Sequence, residues 1–348
     1  MNSKAKTNFI KWFIKRVLPL VLTLLILIIL LSQISLQDIA GLLDGIVYHW
    51  VYIGSIFYLI TNVFRAFRIQ ALLPSQKIGF LQLMAIMIAQ SMFNNILPAR
   101  MGEISFVYLL NKQGNIPADR SIAALLIARI FDFLAVALLF IVAALLSLND
   151  LPAYATNIIW LVVGLLSLLT LTLLSAVWLG RQSLKGLEWL LIRLNLRRLR
   201  PLEVGLEKLN QVVGAFAEIH AFEHLFPAFV WSILVWVGTF AWFYAFLQSI
   251  SMVPTIAGLV IGSTFAVLSK AVPFISVGGL GAHEAGWTLG FLLVGFDRTL
   301  AILSGLAVNL LTMIVSLILG GPALLILKRW RFGQPSSGQV DYVDQQLT

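Results

Sequence analysis

The sequence contains no cysteine, so disulfides, thiolate catalysis and cysteine-based metal sites are excluded. Charge is also scarce, because only 11% of the 348 residues are Asp, Glu, Lys or Arg, whereas a soluble domain carries about a quarter. The 4 histidines form no zinc-binding motif, and the sequence has no nucleotide-binding loop and no acyl-transfer triad. We therefore expect no metal, no cofactor and no catalytic residue of these classes.

Apolar residues take the place of the missing charge. They make up 60% of the chain and are grouped in blocks close to the roughly 20 residues that span a bilayer. The candidate full spans are 17–32, 47–64, 121–147, 155–179, 223–250 and 299–327. No small-residue cleavage site follows the first block, so we interpret it as a retained helix rather than a signal peptide. The composition predicts an all-α polytopic membrane protein, with one integral membrane domain over 1–330 and a disordered cytoplasmic tail over 331–348.

Two further apolar regions do not fit a single span each. In 79–112 and in 255–296, an apolar helix is followed by a cluster of Pro and Gly and then by a shorter apolar run. Pro and Gly interrupt helices, and irregular backbone at membrane depth is tolerated only inside protein or beside a water-filled cavity. We interpret both regions as re-entrant helical hairpins, while eight or nine ordinary helices remain an open alternative.

The positions of Lys and Arg set the predicted orientation. With the N-terminus inside and both hairpins re-entrant, 20 of the 24 basic residues lie on the cytoplasmic side, and only Arg298 lies outside. Both termini are then cytoplasmic, and the two hairpins enter the membrane from opposite sides. The net charge of +9 could also indicate a nucleic-acid-binding protein. The basic residues, however, lie between apolar blocks, as expected for the cytoplasmic loops of a membrane protein, so we expect no nucleic acid as a partner.

Three motifs place polar or charged residues at membrane depth, where a charge costs about 3 kcal/mol to insert and is therefore usually paired or functional. The first motif contains Asn94, Asn95, Pro98, Arg100, Gly102 and Glu103. Pro98 ends a helix, Gly102 permits close approach of the backbone, and the remaining side chains are polar or charged. Since apolar sequence resumes directly after Glu103, we expect a polar cavity here rather than a capped interfacial turn.

The second motif is the pair Arg129 and Asp132, three residues apart on one face of a predicted helix. One interpretation is an internal ion pair that only neutralises both charges. The other is that Arg129 also binds an anionic group, since a guanidinium presents up to five donors to a phosphate. The sequence leaves both interpretations open.

The third motif follows Lys270 and contains Pro273, Gly278, Gly279, Gly281 and Glu284. Its glycines leave backbone N–H groups available at the start of a helix, which suits an anion. Glu284 has three open interpretations: it complements the helix dipole, it pairs with Arg129 or Arg100, or it carries a proton. Lys270 either extends its charge to an interface or joins the cluster.

In the predicted topology, residues 181–222 are the only long cytoplasmic segment. Leucines recur at helical spacing beside several arginines, so the segment is predicted to be basic, amphipathic and interfacial. It serves either as an orientation determinant or as a site that recruits anionic lipid. Arg65 and Arg68, placed at the cytoplasmic end of the second span, are expected to act in the same way.

With these three motifs the chain resembles the lysylphosphatidylglycerol synthase transmembrane, or flippase-like, family. The resemblance runs from about residue 10 to 330 and departs from the family pattern at Ala128, where members often carry an acidic residue. It implies movement of lipid between leaflets, or an accessory role in making or exporting a lipid-linked molecule. Because the chain ends soon after its last predicted helix, the aminoacyl-transferase activity of the bifunctional members is not implied.

The leading hypothesis is therefore a multi-pass transporter of the bacterial inner membrane that moves an anionic lipid between leaflets. Arg100, Arg129 and Lys270 would contact the phosphate, and Asp132, Glu103 and Glu284 would balance charge. A membrane-embedded lipid or glycosyl transferase is the enzymatic alternative, with Glu103 or Asp132 as the base. A scaffold subunit bound to a lipid-synthesis enzyme is the third. The absence of an aspartate-rich metal motif disfavours the enzyme.

Overall fold

The computed structural model describes residues 25–26, 28–74, 78–97, 101–147, 155–172, 222–271 and 279–333, and within these ranges the chain is helical with no β-strand. The helices are α1 Leu36–Asp44, α2 Tyr48–Leu72, α3 Phe80–Ile96, α4 Met101–Gly114, α5 Ala118–Leu146, α6 Ala155–Thr172, α7 Phe222–Ser249, α8 Ile256–Ala271, α9 Ala282–Leu293 and α10 Arg298–Gly333. The predicted basic segment 181–222 lies outside the described residues except for its last position. Of the predicted tail, only the first three residues are described, as the end of α10.

Five helices, α2, α5, α6, α7 and α10, are long and apolar enough to cross a membrane. They correspond to five of the predicted spans, and the predicted first span, 17–32, lies mostly outside the described residues. Large apolar side chains remain exposed on the outer faces, such as Leu146 (74% exposed) and Leu161 (63%). Apolar surface of this kind suits contact with lipid tails rather than water. The chain is therefore an all-α, multi-pass membrane protein.

The first irregular region forms a helical hairpin of α3 and α4, here called the first hairpin. At its tip, Gly102 packs so closely that a side chain there would overlap the Asn94 amide and the Gln90 carbonyl. At its base, Gln82 Nε2 donates a 2.9 Å hydrogen bond to the carbonyl of Gln113. The helices are thus antiparallel, and with 17 and 14 residues they are about 25 and 21 Å long, short of the roughly 30 Å hydrocarbon core.

The second irregular region forms the second hairpin, built from α8 and α9. Gly290 lies directly against the carbonyl of Gly262, and Gly286 lies against the carbonyl of Phe265, so the two helices contact each other through their backbones. They contain 16 and 12 residues, which gives lengths of about 24 and 18 Å. Glycine is required at these positions because any Cβ would collide with the neighbouring backbone.

The two hairpins approach each other from opposite ends of the bundle. Helix α2 runs antiparallel to α7, since the N–H of Val47 before α2 donates to the carbonyl of Ser249 at the end of α7 (2.8 Å), and Arg68 near the other end of α2 reaches Ser232. Each hairpin follows directly on one of these helices. The bases of the hairpins are therefore at opposite ends, as the sequence predicts, and their tips lie near the middle.

The order helix, hairpin, helix occurs twice, as α2–α5 and as α7–α10. The packing repeats with it, because α3 packs against α10 while α8 packs against α5. One apolar core surrounds Phe246, Trp287 and Phe291, and a second surrounds Ile86 and Phe106. The architecture is thus an inverted repeat in which each half covers the hairpin of the other.

Candidate functional site

A cavity of about 190 Å³ lies where the two hairpin tips meet α2, α5 and α7. Its size is well above the roughly 10–15 Å³ that one water molecule needs, so it accommodates a polar group of several atoms. The polar and aromatic side chains that line it are Tyr58, Arg65, Arg68, Gln90, Ser91, Asn94, Asn95, Phe106, Arg129, Asp132, Trp236, Thr239, Trp242, Phe243, Lys270, His283 and Thr312.

Asp132 is the only carboxylate among the described residues that line the cavity. Its Oδ1 lies 2.6 Å from Arg68 Nη1 and accepts a 2.9 Å hydrogen bond from Trp236 Nε1. Arg129 Nη1 reaches Oδ2 at 3.4 Å. The pair predicted from sequence, Arg129 with Asp132, therefore exists, but the shorter and more buried partner of Asp132 is Arg68 from α2.

Arg129 makes its shorter ion pair with the first hairpin. Its Nη2 donates to Glu103 Oε1 at 2.6 Å, which connects α5 to the first turn of α4. About 30% of the Arg129 side chain stays exposed, and Arg129 is one of the residues that line the cavity. Arg129 thus holds the hairpin tip and keeps surface available to a ligand at the same time.

Among the three arginines of the described lining, Arg65 has a neutral hydrogen-bond partner, whereas Arg68 and Arg129 are paired with carboxylates. Its Nη1 donates a 2.7 Å hydrogen bond to Ser91 Oγ, which in turn donates to Asn62 Oδ1 at 2.7 Å. No described carboxylate lies within ion-pair distance of Arg65. A partly buried cation is costly without a counter-charge, so this position favours an anion in the cavity.

The location of Arg65 and Arg68 corrects the sequence-based expectation. The sequence predicts them at the cytoplasmic end of a span that ends near 64, either as an orientation determinant or as a site that recruits anionic lipid. Helix α2 instead continues to Leu72, and Arg68 is only 7% exposed. The available signal was their spacing of three residues, which puts both side chains on one face of the helix.

On the second hairpin, Glu284 is fully engaged by protein groups. Its Oε2 accepts a 2.6 Å hydrogen bond from the N–H of Gly281, and its Oε1 accepts one of 2.7 Å from Asn309 Nδ2. Lys270 Nζ donates to Asn309 Oδ1 at 3.1 Å. Of the three interpretations of Glu284, the structure shows the cap of α9, and the described partners of its carboxylate are Gly281 and Asn309 rather than Arg129.

The glycines of the third motif shape this turn. Gly279 and Gly281 have φ of 81° and 80°, in the region that side chains disfavour. A side chain at Gly279 would also overlap the Lys270 side chain. The N–H of Gly281 points inward, as an anion site requires, but it is taken by the carboxylate of Glu284.

The two halves of the inverted repeat place different chemistry at corresponding positions. Glu103 and Glu284 both lie in the first turn of the returning helix. Each is bonded to the long helix that follows, Glu103 to Arg129 and Glu284 to Asn309. The contact that closes the hairpin tip, here called the clasp, is therefore an ion pair in the first half and a hydrogen bond from an amide to a carboxylate in the second half.

The predicted site residues fall into three groups. Those that line the cavity are Asn94, Asn95, Arg129, Asp132 and Lys270. Those that contact this lining or shape a hairpin tip are Gly102, Glu103, Gly279, Gly281 and Glu284. Those outside the described residues are Pro98, Arg100, Pro273 and Gly278.

Sequence reasoning missed most of the neutral lining, including Tyr58, Ser91, Trp236, Trp242 and His283. Aromatic residues are common in apolar helices, so nothing in their spacing distinguished them from ordinary core or lipid-facing positions. In the described part of the chain, no group of three or more His, Asp or Glu side chains is arranged to hold a metal ion.

Comparison with known protein families identifies the relationship of the chain. The sequence profile described as the lysylphosphatidylglycerol synthase TM region matches residues 16–320. No curated protein and no solved structure matches the chain significantly. The matched range contains both hairpins and every cavity residue named above.

Proposed function

Because the chain belongs to the family of the lysylphosphatidylglycerol synthase TM region, we propose that it moves an anionic lipid between the two leaflets of a membrane. The family itself links the chain to membrane lipids. The finer step, from a lipid-related function to transport, rests on the cavity and on the arrangement of the hairpins around it.

The observation that carries the proposal is the excess of positive charge among the described residues that line the cavity. Arg65, Arg68, Arg129 and Lys270 line it, against Asp132 as the one carboxylate among the described residues of the lining. Glu103 and Glu284 lie behind this surface, and the described charges still sum to one positive when both are included. A phosphate placed beside Arg65 would supply the missing counter-charge.

The hairpins supply a route for alternating access. Oppositely oriented broken helices that meet near the bilayer midplane are typical of transporters whose repeats rock around a central site. Each tip is fastened to a long helix by one glutamate, so release of one clasp at a time would open the cavity toward one side. Lipid tails would remain in the bilayer while the headgroup crosses.

The proposal includes a topology. The first hairpin is re-entrant from the cytoplasm, the second is re-entrant from outside, and both termini are cytoplasmic. The excess of Lys and Arg on one side supports this orientation. The membrane would be the bacterial inner membrane, with lipid as the principal partner.

The contacts of the two candidate bases do not favour the transferase alternative. Asp132 accepts from Arg68 and Trp236, and Glu103 is paired with Arg129. A general base must reach the proton of a substrate, and both carboxylates are already occupied by donors of the protein. Donor-dependent modification of a lipid, abolished by Asp132→Asn, would instead support an enzyme.

A reconstitution experiment tests the transport proposal. Purified protein is placed in vesicles with a trace of headgroup-intact, chain-tagged fluorescent phosphatidylglycerol, and dithionite reports the exposure of the inner-leaflet pool. We expect Arg65→Gln to slow this exposure at least tenfold and the exposed-surface control Arg298→Gln to leave it unchanged. Exposure no faster than in protein-free vesicles, or insensitive to Arg65, would contradict transport and leave the scaffold role.

A further inference from the structure

An amide on α10 joins two opposite charges across the break of the second hairpin. Asn309 Oδ1 accepts a 3.1 Å hydrogen bond from Lys270 Nζ at the end of α8. Asn309 Nδ2 donates a hydrogen bond of 2.7 Å to Glu284 Oε1 in the first turn of α9. Asn309 and Glu284 are only 2% and 1% exposed. The two charges are therefore connected through one buried side chain.

The hydrogen bonds of Glu284 fit its ionised form. Its Oε1 accepts from the Asn309 amide, and its Oε2 accepts from the N–H of Gly281 at 2.6 Å. A proton turns one of these oxygens into an O–H group, which must donate to an acceptor. Both described partners present a hydrogen instead, and a buried O–H without an acceptor is unfavourable. Protonation of Glu284 therefore requires one of its partners to change.

Reversal of the Asn309 amide supplies the missing acceptor. Half a turn of the amide group exchanges Nδ2 and Oδ1, so that the oxygen faces Glu284 and accepts from its O–H. The NH2 group then faces Lys270, whose ammonium group is also only a donor. Lys270 must consequently leave Asn309 when Glu284 gains a proton. The backbone N–H of Gly281 has no corresponding freedom to reverse.

The cavity provides the alternative partner for Lys270. Lys270 and His283 line it, whereas Glu284 and Asn309 are not part of the lining. The Lys270 side chain passes Gly279, where a Cβ would overlap it, so the glycine leaves room for the lysine stem. An anion attracts an ammonium group more strongly than a neutral amide oxygen does. An anion in the cavity and a proton on Glu284 therefore favour the same arrangement.

Among the described residues, Lys270 is the charged side chain that acts on Glu284. It is the only charged residue of α8, and the charges of α10 lie towards its two ends, at Arg298 and from Lys328 onward. Helix α7, which contacts α9 through aromatic rings, has no charged residue after its first turn. On α9 itself the titratable neighbour is His283, which is buried. Titration of Glu284 is thus linked mainly to the position of Lys270.

We propose that Glu284 is a proton-binding site coupled to the anion site of the cavity, with Asn309 as the switch between them. Uptake of one proton by Glu284 accompanies the transfer of Lys270 from Asn309 to the bound anion. Release of the anion returns Lys270 to Asn309, and the proton returns to water. Because the carboxylate is enclosed, the proton is exchanged with water when the tip of the second hairpin opens. This inference rests on the proposed function and adds proton coupling to it.

Proton uptake on lipid binding is the direct test. Phosphatidylglycerol is added to the purified protein in weakly buffered detergent solution at a series of pH values around neutrality, and an indicator dye reports the protons that leave the solution. We expect a maximum approaching one proton per bound lipid. Binding should then weaken on the order of tenfold for each unit by which the pH rises, the limit for one coupled proton. The phosphodiester keeps its charge in this range, so the lipid does not contribute.

Variants assign the proton to its group. Glu284→Gln removes the titrating group and keeps its size, so uptake should disappear. Lys270→Met removes the charge that moves, so lipid binding should lose its pH dependence. Glu223→Gln, the same substitution at an exposed position in the first turn of α7, is the matched control and should behave as the unmodified protein. Gel filtration establishes that each variant is folded.

Infrared difference spectra provide a readout that needs no variant. Binding of phosphatidylglycerol to the unmodified protein should produce the C=O band of a protonated carboxylic acid, and isotope-labelled glutamate should shift this band. Absence of the band would contradict protonation of Glu284. Proton uptake that persists in Glu284→Gln would place the proton on another group, such as His283, and would also overturn the switch.

A pH gradient separates this inference from the function on which it rests. In vesicles, an imposed gradient should accumulate fluorescent phosphatidylglycerol in one leaflet, and Glu284→Gln should abolish the accumulation. Arg65-dependent movement that ignores the gradient, without proton uptake, would overturn the coupling and leave the transport. Proton uptake on binding without any movement of lipid would contradict the transport and leave the coupling between the two sites. Absence of both binding and movement would overturn both.

Discussion

Arg68 on α2 and Asp132 on α5 form a 2.6 Å ion pair in the interior of the bundle, with 8% and 11% of their side chains exposed. The two residues are 64 positions apart in sequence. The pair fixes α2, which packs on the second half of the molecule, to α5, which holds the tip of the first hairpin. It therefore has a structural role as well as a place in the cavity lining.

Breaking this pair on one side should destabilise the protein more than replacing both partners. Asp132→Leu leaves the Arg68 charge buried without its partner, which typically costs about 3–5 kcal/mol, and Arg68→Met leaves the carboxylate with the longer Arg129 contact. The double variant removes both charges and should recover part of the loss. The unmodified protein, the two single variants and the double variant form a double-mutant cycle. Their melting temperatures are measured by tryptophan fluorescence in detergent. Strictly additive effects would show that the two side chains are not coupled.

The close contact of the second hairpin predicts a steric effect at Gly290. A methyl group there would collide with the carbonyl of Gly262, so Gly290→Ala should separate α8 from α9 and lower the melting temperature. Gly164→Ala on α6 is the matched control, because a Cβ at Gly164 meets nothing within 4 Å. Alanine is the better helix former by about 0.5–1 kcal/mol, so the control should be neutral or stabilising. Equal behaviour of the two variants would exclude the backbone contact.

The absence of cysteine makes the opposed hairpins directly testable. Lys112→Cys marks the base of the first hairpin and Arg298→Cys marks the exposed start of α10, shortly after the second hairpin, each in a chain with no other thiol. A membrane-impermeant maleimide added to intact cells should label the Arg298→Cys variant, and it should label the Lys112→Cys variant only after the membrane is opened. Unmodified protein provides the blank, and labelling of both variants from one side would contradict the arrangement.

Outside the membrane-spanning helices, Ser35 and Asp38 predict a pH response at the start of α1. The backbone N–H and the hydroxyl of Ser35 donate to the Asp38 carboxylate at 2.8 and 2.7 Å, which holds the pKa of Asp38 below its ordinary value of about 3.8. A lowered pKa in the folded state means that the carboxylate stabilises α1 fully above the ordinary value and loses this effect as pH falls through the lowered one. Hydrogen exchange across Leu36–Asp44 should accelerate relative to the intrinsic rate over that interval.

Ser35→Ala is the control for this pH response. It removes the hydroxyl that bonds both the Asp38 carboxylate and the Asp38 N–H. Protection of α1 should therefore be lower in this variant at neutral pH, and its decrease should begin at a higher pH. A pH response identical to that of the unmodified chain would show that the capping contacts have no influence on the helix.

The hairpins and the three polar motifs were accessible from sequence because their signals are local. A helix broken by Pro and Gly inside an apolar block is visible within about a dozen residues, and the asymmetry of Lys and Arg then predicts its orientation. The resemblance based on the same motifs agrees with the family match over 16–320. Asn94, Asn95, Arg129, Asp132 and Lys270 come from all three motifs and line one cavity, and their role in binding stays a prediction.

The ion-pair partners were not accessible because they depend on packing between distant helices. Apolar periodicity ended the second span near 64, before the arginines, although α2 continues and buries Arg68 against Asp132. A hydropathy scale assigns an arginine to the end of a span because it counts only the cost of burying the charge. It takes no account of a carboxylate on another helix that offsets this cost. The partner of Glu284 was not predictable for the same reason. Asn309 lies 25 residues away, and nothing in the sequence around it indicates that it contacts Glu284.

The two repeats differ in the contacts that close their hairpin tips and in the charges that they contribute to the cavity. The charge distribution is therefore asymmetric across the membrane. A membrane potential exerts about 2.3 kcal/mol per elementary charge over 100 mV, and it acts on charges rather than on helices. Arg65, Arg68 and Arg129 all belong to the first half, whereas Lys270 is the only cation that the second half contributes to the described lining. The two halves of the fold are related by inversion, but they carry different charges. An electric field across the membrane therefore acts differently on each half. If the chain moves lipid as proposed, the membrane potential would therefore favour one direction of movement over the other.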